Sequence, residues 1–182
     1  MDANASAPPR ELVYGYGDYE RLIEQLALQI KADGFRPDVV IGITSGGLMP
    51  AVILAKLFDA PLGVMAARRY KSGAMDSLAV HETVAVGGHL ALIDPPPSGR
   101  VLLVDDLTDD GATLAACHAW LMRQSGERVS DLRTAVLWLK TCSSFRPDYA
   151  AMIIEPDERG GFPWVIQPYE KYEHGGFAVI AP

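Results

Sequence analysis

Residues 101–114 read VLLVDDLTDDGATL. The aliphatic run at 101–104 has the pattern of a strand buried on both faces of a parallel sheet. Asp105 and Asp106 follow at once, so two carboxylates stand where that strand ends. Gly111, Ala112 and Thr113 then open an apolar stretch that reads as a helix, with Gly126 to end it. A strand, an acidic tip, a small-residue loop and a helix N-terminus point together to a site for a phosphorylated sugar. Loop amides and the helix dipole attract phosphate. Carboxylates accept hydrogen bonds from hydroxyls or face a magnesium ion.

Outward from this stretch, apolar runs alternate with helical periodicity. Asp18 can cap a helix that carries Leu22, Ile23, Leu26 and Ile30 on one face, with Gly34 as its stop. Residues 38–43 (DVVIGI) read as a strand that enters a turn at 44–47 and a second helix near 48–58. Residues 62–67 read as another strand. The polar, basic, glycine-containing segment 68–77 (RRYKSGAMDS) reads as a mobile loop. Short strands are expected at 78–86 and 90–93 around Gly87-Gly88, then a rigid proline connector at 95–97. Further strands are expected at 135–139 and 149–154, and beyond Glu155 the pattern is irregular and aromatic. Alternating strands and helices predict an α/β fold with a doubly wound, mainly parallel sheet, whose ligands bind beyond the carboxyl ends of the strands.

The chain has 182 residues, 49% of them apolar, which suits one domain, with residues 1–10 as a frayed tail and 155–182 as a small irregular hood. A net charge of −7 argues against a general nucleic-acid binder. No apolar run reaches membrane-spanning length, and the start MDANASAPPR is unlike a secretory signal. Cys117 and Cys142 are too few for a zinc set or disulfide framework, so a reduced, cytoplasmic protein is the default expectation. His81, His89, His118 and His174 show no metal-ligand spacing, and Cys117, Trp120 and Trp138 read as core residues.

Residues 101–114 resemble the diphosphoribosyl-binding signature of the type I phosphoribosyltransferase family: an aliphatic strand, two acids, a short spacer, then threonine-glycine-any-threonine. The turn Thr44-Ser45-Gly46-Gly47 is similar to that family's pyrophosphate loop, and 68–77 fall where it keeps a flexible catalytic loop. The segment 164–170 (WVIQPYE) resembles the base-binding end of bacterial and archaeal 6-oxopurine members. The matches span most of residues 38–170.

The resemblance implies transfer of the 5-phosphoribosyl group from phosphoribosyl diphosphate to a 6-oxopurine base. The products are a nucleoside monophosphate and pyrophosphate, and magnesium is the cofactor. Asp105 and Asp106 would hold the ribose hydroxyls, directly or through magnesium, which Glu170 would also face. Asp109 matches an acid placed near the purine N7; its other reading is a helix cap. Asp109, Arg69 and Lys71 are thus the catalytic candidates. Gly111, Ala112 and Thr113 would bind the 5-phosphate, and Ser45, Gly46 and Gly47 the pyrophosphate. Lys140 would reach the 6-oxo group, Trp164 would stack on the base, and Val165 would offer backbone groups to its edge.

Two positions depart from the pattern. Asp110 stands where threonine is usual, putting a carboxylate beside a phosphate: it either points away, leaving only its amide to serve, or weakens diphosphate binding. Ser45 stands where many 6-oxopurine members carry arginine, a charge that Arg68, Arg69 and Lys71 could replace. The resemblance therefore leaves open a non-catalytic sensor or regulator that binds diphosphate or nucleotide, or an enzyme for another base such as a pyrimidine. It implies a homodimer or homotetramer and no nucleic-acid or membrane partner.

Overall fold

The computed structural model describes residues 10–72, 81–91 and 96–180. In chain order its main elements are β1 (Glu11–Val13), α1 (Tyr16–Ala32), β2 (Val39–Ile43), α2 (Leu48–Phe58), β3 (Leu62–Ser72), β4 (His81–Ala91), β5 (Gly99–Thr108), α3 (Ala112–Ser125), β6 (Val129–Lys140), β7 (Tyr149–Ile154), β8 (Trp164–Ile166) and α4 (Lys171–Gly175). Six strands form one sheet in the order β4-β3-β2-β5-β6-β7. It is parallel except for β4, which pairs antiparallel with β3 at one edge.

The period of two along β5 sorts its side chains between two cores. Leu102 and Val104 pack with α1 and α2, through Leu22, Ile23, Leu26, Ile30, Ala51 and Leu54. Val101 and Leu103 pack with α3, through Leu114, Cys117 and Leu121. Helices thus cover both faces, as the alternation of elements in the sequence predicts. Trp138 is fully buried in the first core between Tyr14 and Tyr19, with ring centroids at 4.9 and 5.7 Å.

Three expectations change. Helix α1 starts at Tyr16 with Gly15 as its N-cap; Asp18 lies inside the first turn, where its Oδ2 accepts the Gly15 N–H at 3.0 Å. A carboxylate in the first turn serves the exposed amides as well as one at the cap. Residues 68–72 are not loop: β3 runs on through them, with Arg68 opposite Ala85 and Ser72 opposite His81. Cross-strand pairing with the β-branched stretch around Thr83 and Val84 overrides the local polarity. Residues 73–80, which hold the rest of the expected loop, lie outside the described residues. Gly87-Gly88 does not divide two strands: β4 passes through both, opposite a register irregularity between Met65 and Ala67. A Cβ on Gly87 would lie 3.1 Å from that of Ala66, so glycine lets the bulged strand approach. Beyond the expected tail of 1–10, residues 11–13 form β1, which pairs parallel with β8 and ties this segment to the hood.

At the end of the sheet away from the acidic tip, Asp38 joins β2 to β5. Its Oδ2 accepts the Arg100 N–H at 2.8 Å, and its Oδ1 accepts from the guanidinium at 2.9 Å. The guanidinium and the amide of Arg100 hold this carboxyl down at about 2, below the usual 3.8. A depressed native value gives stability that is present above pH 4 and lost as pH falls through 2. Both side chains are nearly half exposed, so solvent screens the pair and the effect is small. Asp38→Asn is expected to lower the urea midpoint slightly at pH 6 and by much less at pH 2, where the native carboxyl is already about half protonated; equal loss at both pH values would assign the effect to packing.

Candidate active site

A cavity of about 290 Å³ opens at the carboxyl ends of β2 and β5, lined by Thr44, Ser45, Gly46, Arg68, Asp105, Asp106, Asp109, Gly111 and Thr113, among others. Strand β5 continues to Thr108, so the two acids lie within its last turn of pleat rather than after it. Alternation therefore sends them to opposite faces. Asp105 is buried near Cys117 of α3, whose thiol is pushed up to about 12 by burial and then by this carboxylate. Asp106 points toward α1. Its Oδ1 accepts the Leu107 N–H at 2.8 Å, and its Oδ2 accepts from Gln167 Nε2, with the Tyr169 oxygen 3.4 Å away.

The loop 109–113 leads into α3, with Gly111 as N-cap at φ +88. A Cβ there would lie 2.5 Å from the Phe145 nitrogen and 2.7 Å from Ser143 Oγ. The turn after β6 clasps this loop. The Ser144 N–H and hydroxyl donate to the Asp110 carbonyl at 3.0 and 2.7 Å, and Ser143 Oγ lies 3.0 Å from Thr108 Oγ1. The Asp110 side chain folds back on its own loop, where its Oδ1 accepts the Ala112 N–H at 2.9 Å. An amide expected to serve the phosphate is therefore occupied by a carboxylate.

The turn 44–47 faces this loop across the cavity, and its Thr44–Ser45 peptide is cis. A Cβ on Gly46 would lie 2.1 Å from Asp106 Oδ2, and one on Gly47 2.4 Å from the Val104 carbonyl oxygen. Glycine is required at both for the turn to rest on the tip of β5. Ser45 is exposed, and Arg68 lines the same cavity from β3. The side chains of Arg69 and Lys71 lie outside the described residues, so their expected roles carry no geometry here.

Asp109 links the cavity to a second cluster. The buried Lys140, last residue of β6, places Nζ 3.2 Å from Asp109 Oδ2 and 5.9 Å from the Trp164 ring centroid. Trp164 is 55% exposed, leaving much of its surface open to a ligand. In β8, Trp164 N–H donates to the Arg10 carbonyl and the Ile166 carbonyl accepts from Tyr14 N–H. Backbone groups alternate along a strand, so those of buried Val165 face the opposite edge, away from β1.

Among the described residues, no three His, Cys, Asp or Glu side chains converge as a metal cage. Asp105, Asp106 and Glu170 are thus not a preformed ligand set. The first two diverge across the sheet, and Asp106 is engaged by Gln167 and Tyr169.

Sequence reasoning gave no role to Tyr19, Ser143, Ser144, Gln167 or Tyr169. Tyr19 carried a faint signal, a hydroxyl on the buried stripe of α1. Burial and then the neighbouring Asp106 raise its pKa, and the same two causes raise that of Tyr169, so both hydroxyls stay protonated.

A family model described as a phosphoribosyl transferase domain matches residues 15–174. The chain belongs to the phosphoribosyltransferase family. An "HGPRTase-like protein 2" of Haloferax volcanii is 33% identical over 128 residues, 68% of each chain. A purine phosphoribosyltransferase from Pyrococcus horikoshii matches with a TM-score of 0.67 at 26% identity, covering 87% of this chain and 93% of that one. A Neisseria gonorrhoeae protein described as hypothetical, with bound ppGpp, matches with a TM-score of 0.73 at 26% identity, covering 91% and 92%. The fold expected from the sequence, a doubly wound phosphoribosyltransferase-like sheet, is the fold observed.

In this phosphoribosyltransferase, Gly111→Ala should destabilise the native state by about 2 kcal/mol or more, because it adds both a left-handed strain and an overlap with Phe145. The urea midpoint checks this. A loss below about 0.5 kcal/mol, roughly a tenth of a small domain's stability, would mean that the 143–145 turn yields easily.

Proposed function

We propose that this phosphoribosyltransferase moves the 5-phosphoribosyl group of phosphoribosyl diphosphate onto a 6-oxopurine, giving a nucleoside monophosphate and pyrophosphate. The observation that carries the reading is the meeting of Asp109, Lys140 and Trp164, from three separate segments, beside the acidic cavity. Trp164 would stack on the purine. Lys140 would donate to the 6-oxo group; an ammonium has no acceptor to offer a 6-amino group. Asp109 would take the N7 proton as N9 attacks the anomeric carbon and the bond from that carbon to pyrophosphate breaks. Asp105 and Asp106 would face the ribose hydroxyls, the amides of Gly111 to Thr113 the 5-phosphate, and residues 45–47 with Arg68 the pyrophosphate.

Two hard carboxylates without a cage suit a cation held mainly by diphosphate oxygens and water, with Asp105 and Asp106 assisting. Magnesium bound in this way would neutralise the leaving pyrophosphate.

The direct test is pyrophosphate release from phosphoribosyl diphosphate and magnesium with hypoxanthine, xanthine, guanine, adenine and orotate. Turnover with the 6-oxopurines is expected. Trp164→Ala should weaken base binding about tenfold, on the order of one base–aromatic stack, and leave diphosphate affinity nearly unchanged. Equal losses would make the tryptophan structural.

One observation favours a second reading, a nucleotide-binding regulator without turnover: Asp110 occupies the Ala112 amide. The relative with bound ppGpp keeps that reading in view. Asp110→Thr should tighten diphosphate binding about tenfold, ~1.4 kcal/mol, in a calorimetric titration. Unchanged affinity would show that the carboxylate does not compete. Nucleotide binding with no turnover on any base would favour the regulator.

A further inference from the structure

We propose that Gln167 is a positioning residue that couples the base site to the ribose and pyrophosphate sites; this rests on the phosphoribosyl-transfer reading above. Gln167 directly follows β8, the strand that carries Trp164 and Val165, and is buried, with 6% of its surface exposed. Its Nε2 donates to Asp106 Oδ2, and its Oε1 accepts the Tyr169 hydroxyl at 2.6 Å. A carboxylate only accepts and a carboxamide does both, so this arrangement fixes which way round the amide sits. Tyr169 in turn packs against Tyr19, the two rings meeting edge-on at 6.2 Å. The Tyr19 hydroxyl lies 3.5 Å from the Gly46 carbonyl oxygen.

These contacts touch all three ligand segments. Hydrogen bonds join the base strand, through Gln167, to the ribose acid Asp106. Close packing joins Asp106 to the pyrophosphate turn, since its carboxylate fills the space that a Gly46 Cβ would need. A ligand that orders any one segment restricts the donors and acceptors of the other two, so the next ligand meets a site already partly ordered. An apolar side chain at 167 would keep the packing and cut the link between hood and strand tip.

The test is calorimetric titration of the full chain with phosphoribosyl diphosphate and magnesium, without and with saturating 9-deazahypoxanthine. That analogue carries carbon at the attacking position and cannot react. In the wild type the analogue should tighten diphosphate binding about fivefold or more. In Gln167→Leu each ligand alone should bind within about threefold of wild type, while the coupling falls below about twofold. Gln167→Glu sets a second carboxylate against Asp106 and should lose coupling too; it serves if the leucine variant does not fold. Full coupling in a folded variant, or none in the wild type, overturns the proposal. If the wild type binds neither ligand, the phosphoribosyl-transfer reading fails, and the proposal with it.

Discussion

Strand β5 is hemmed in on every side. Parallel neighbours β2 and β6 hold its edges, and helices cover both faces. Its backbone groups are taken up by the ladder, and its side chains at 101–104 are sealed in two cores. Chemistry is possible only where the strand emerges, and there the pleat allows one direction per residue. Asp105 continues the row of Val101 and Leu103 toward α3. Asp106 continues the row of Leu102 and Val104 toward α1. The division of labour between the two acids thus follows from the same alternation that builds the core.

An acidic pocket that is to receive phosphate must draw its affinity from amides, and amides work only when their loops are held still. The two loops are held by opposite means. Residues 109–113 are clasped by two hydrogen bonds from Ser144 to the Asp110 carbonyl. Residues 44–47 are held by contact, with Gly46 and Gly47 flush against Asp106 and Val104. Into this frame Asp110 introduces a carboxylate that already satisfies one loop amide. On the proposed reading, an anion bound there would have to displace it, and the carboxylate would compete with the loop's ligand.

The fold was largely legible because its signals are local and repeated. The 101–104 run, the buried stripe of α1 and the stops at Gly34 and Gly126 each follow from a few adjacent residues. What escaped depended on partners distant in sequence. Residues 68–72 are polar and basic, yet they become strand because β4 supplies the other half of the ladder. Residues 11–13 carry no strand pattern of their own, yet they become strand because 164–166 pair with them. At the site, Asp109, Lys140 and Trp164, which the resemblance singles out in three separate segments, lie together. The Tyr19–Tyr169–Gln167–Asp106 network left almost no trace, because a tyrosine on a helix stripe and a glutamine in a variable position have bland local readings. The fate of Asp110 was likewise invisible, since an aspartate two residues before an amide can turn either way.

On the proposed reading, the ion pair of Lys140 and Asp109 does more than supply a charge. Side by side, an ammonium donor and a carboxylate acceptor form a template 3.2 Å across. The O6 and N7–H edge of a 6-oxopurine presents an acceptor beside a donor and matches it group for group. A 6-aminopurine with hydrogen on N7 presents two donors, one of them facing the ammonium. Burial sharpens the difference, because Lys140 is almost wholly sequestered and a mismatched N–H there has no water to turn to. The same pairing also suits the chemistry. The carboxylate that reads the N7 proton in the bound base stands where that proton must go when N9 attacks, so recognition and proton acceptance fall to one group.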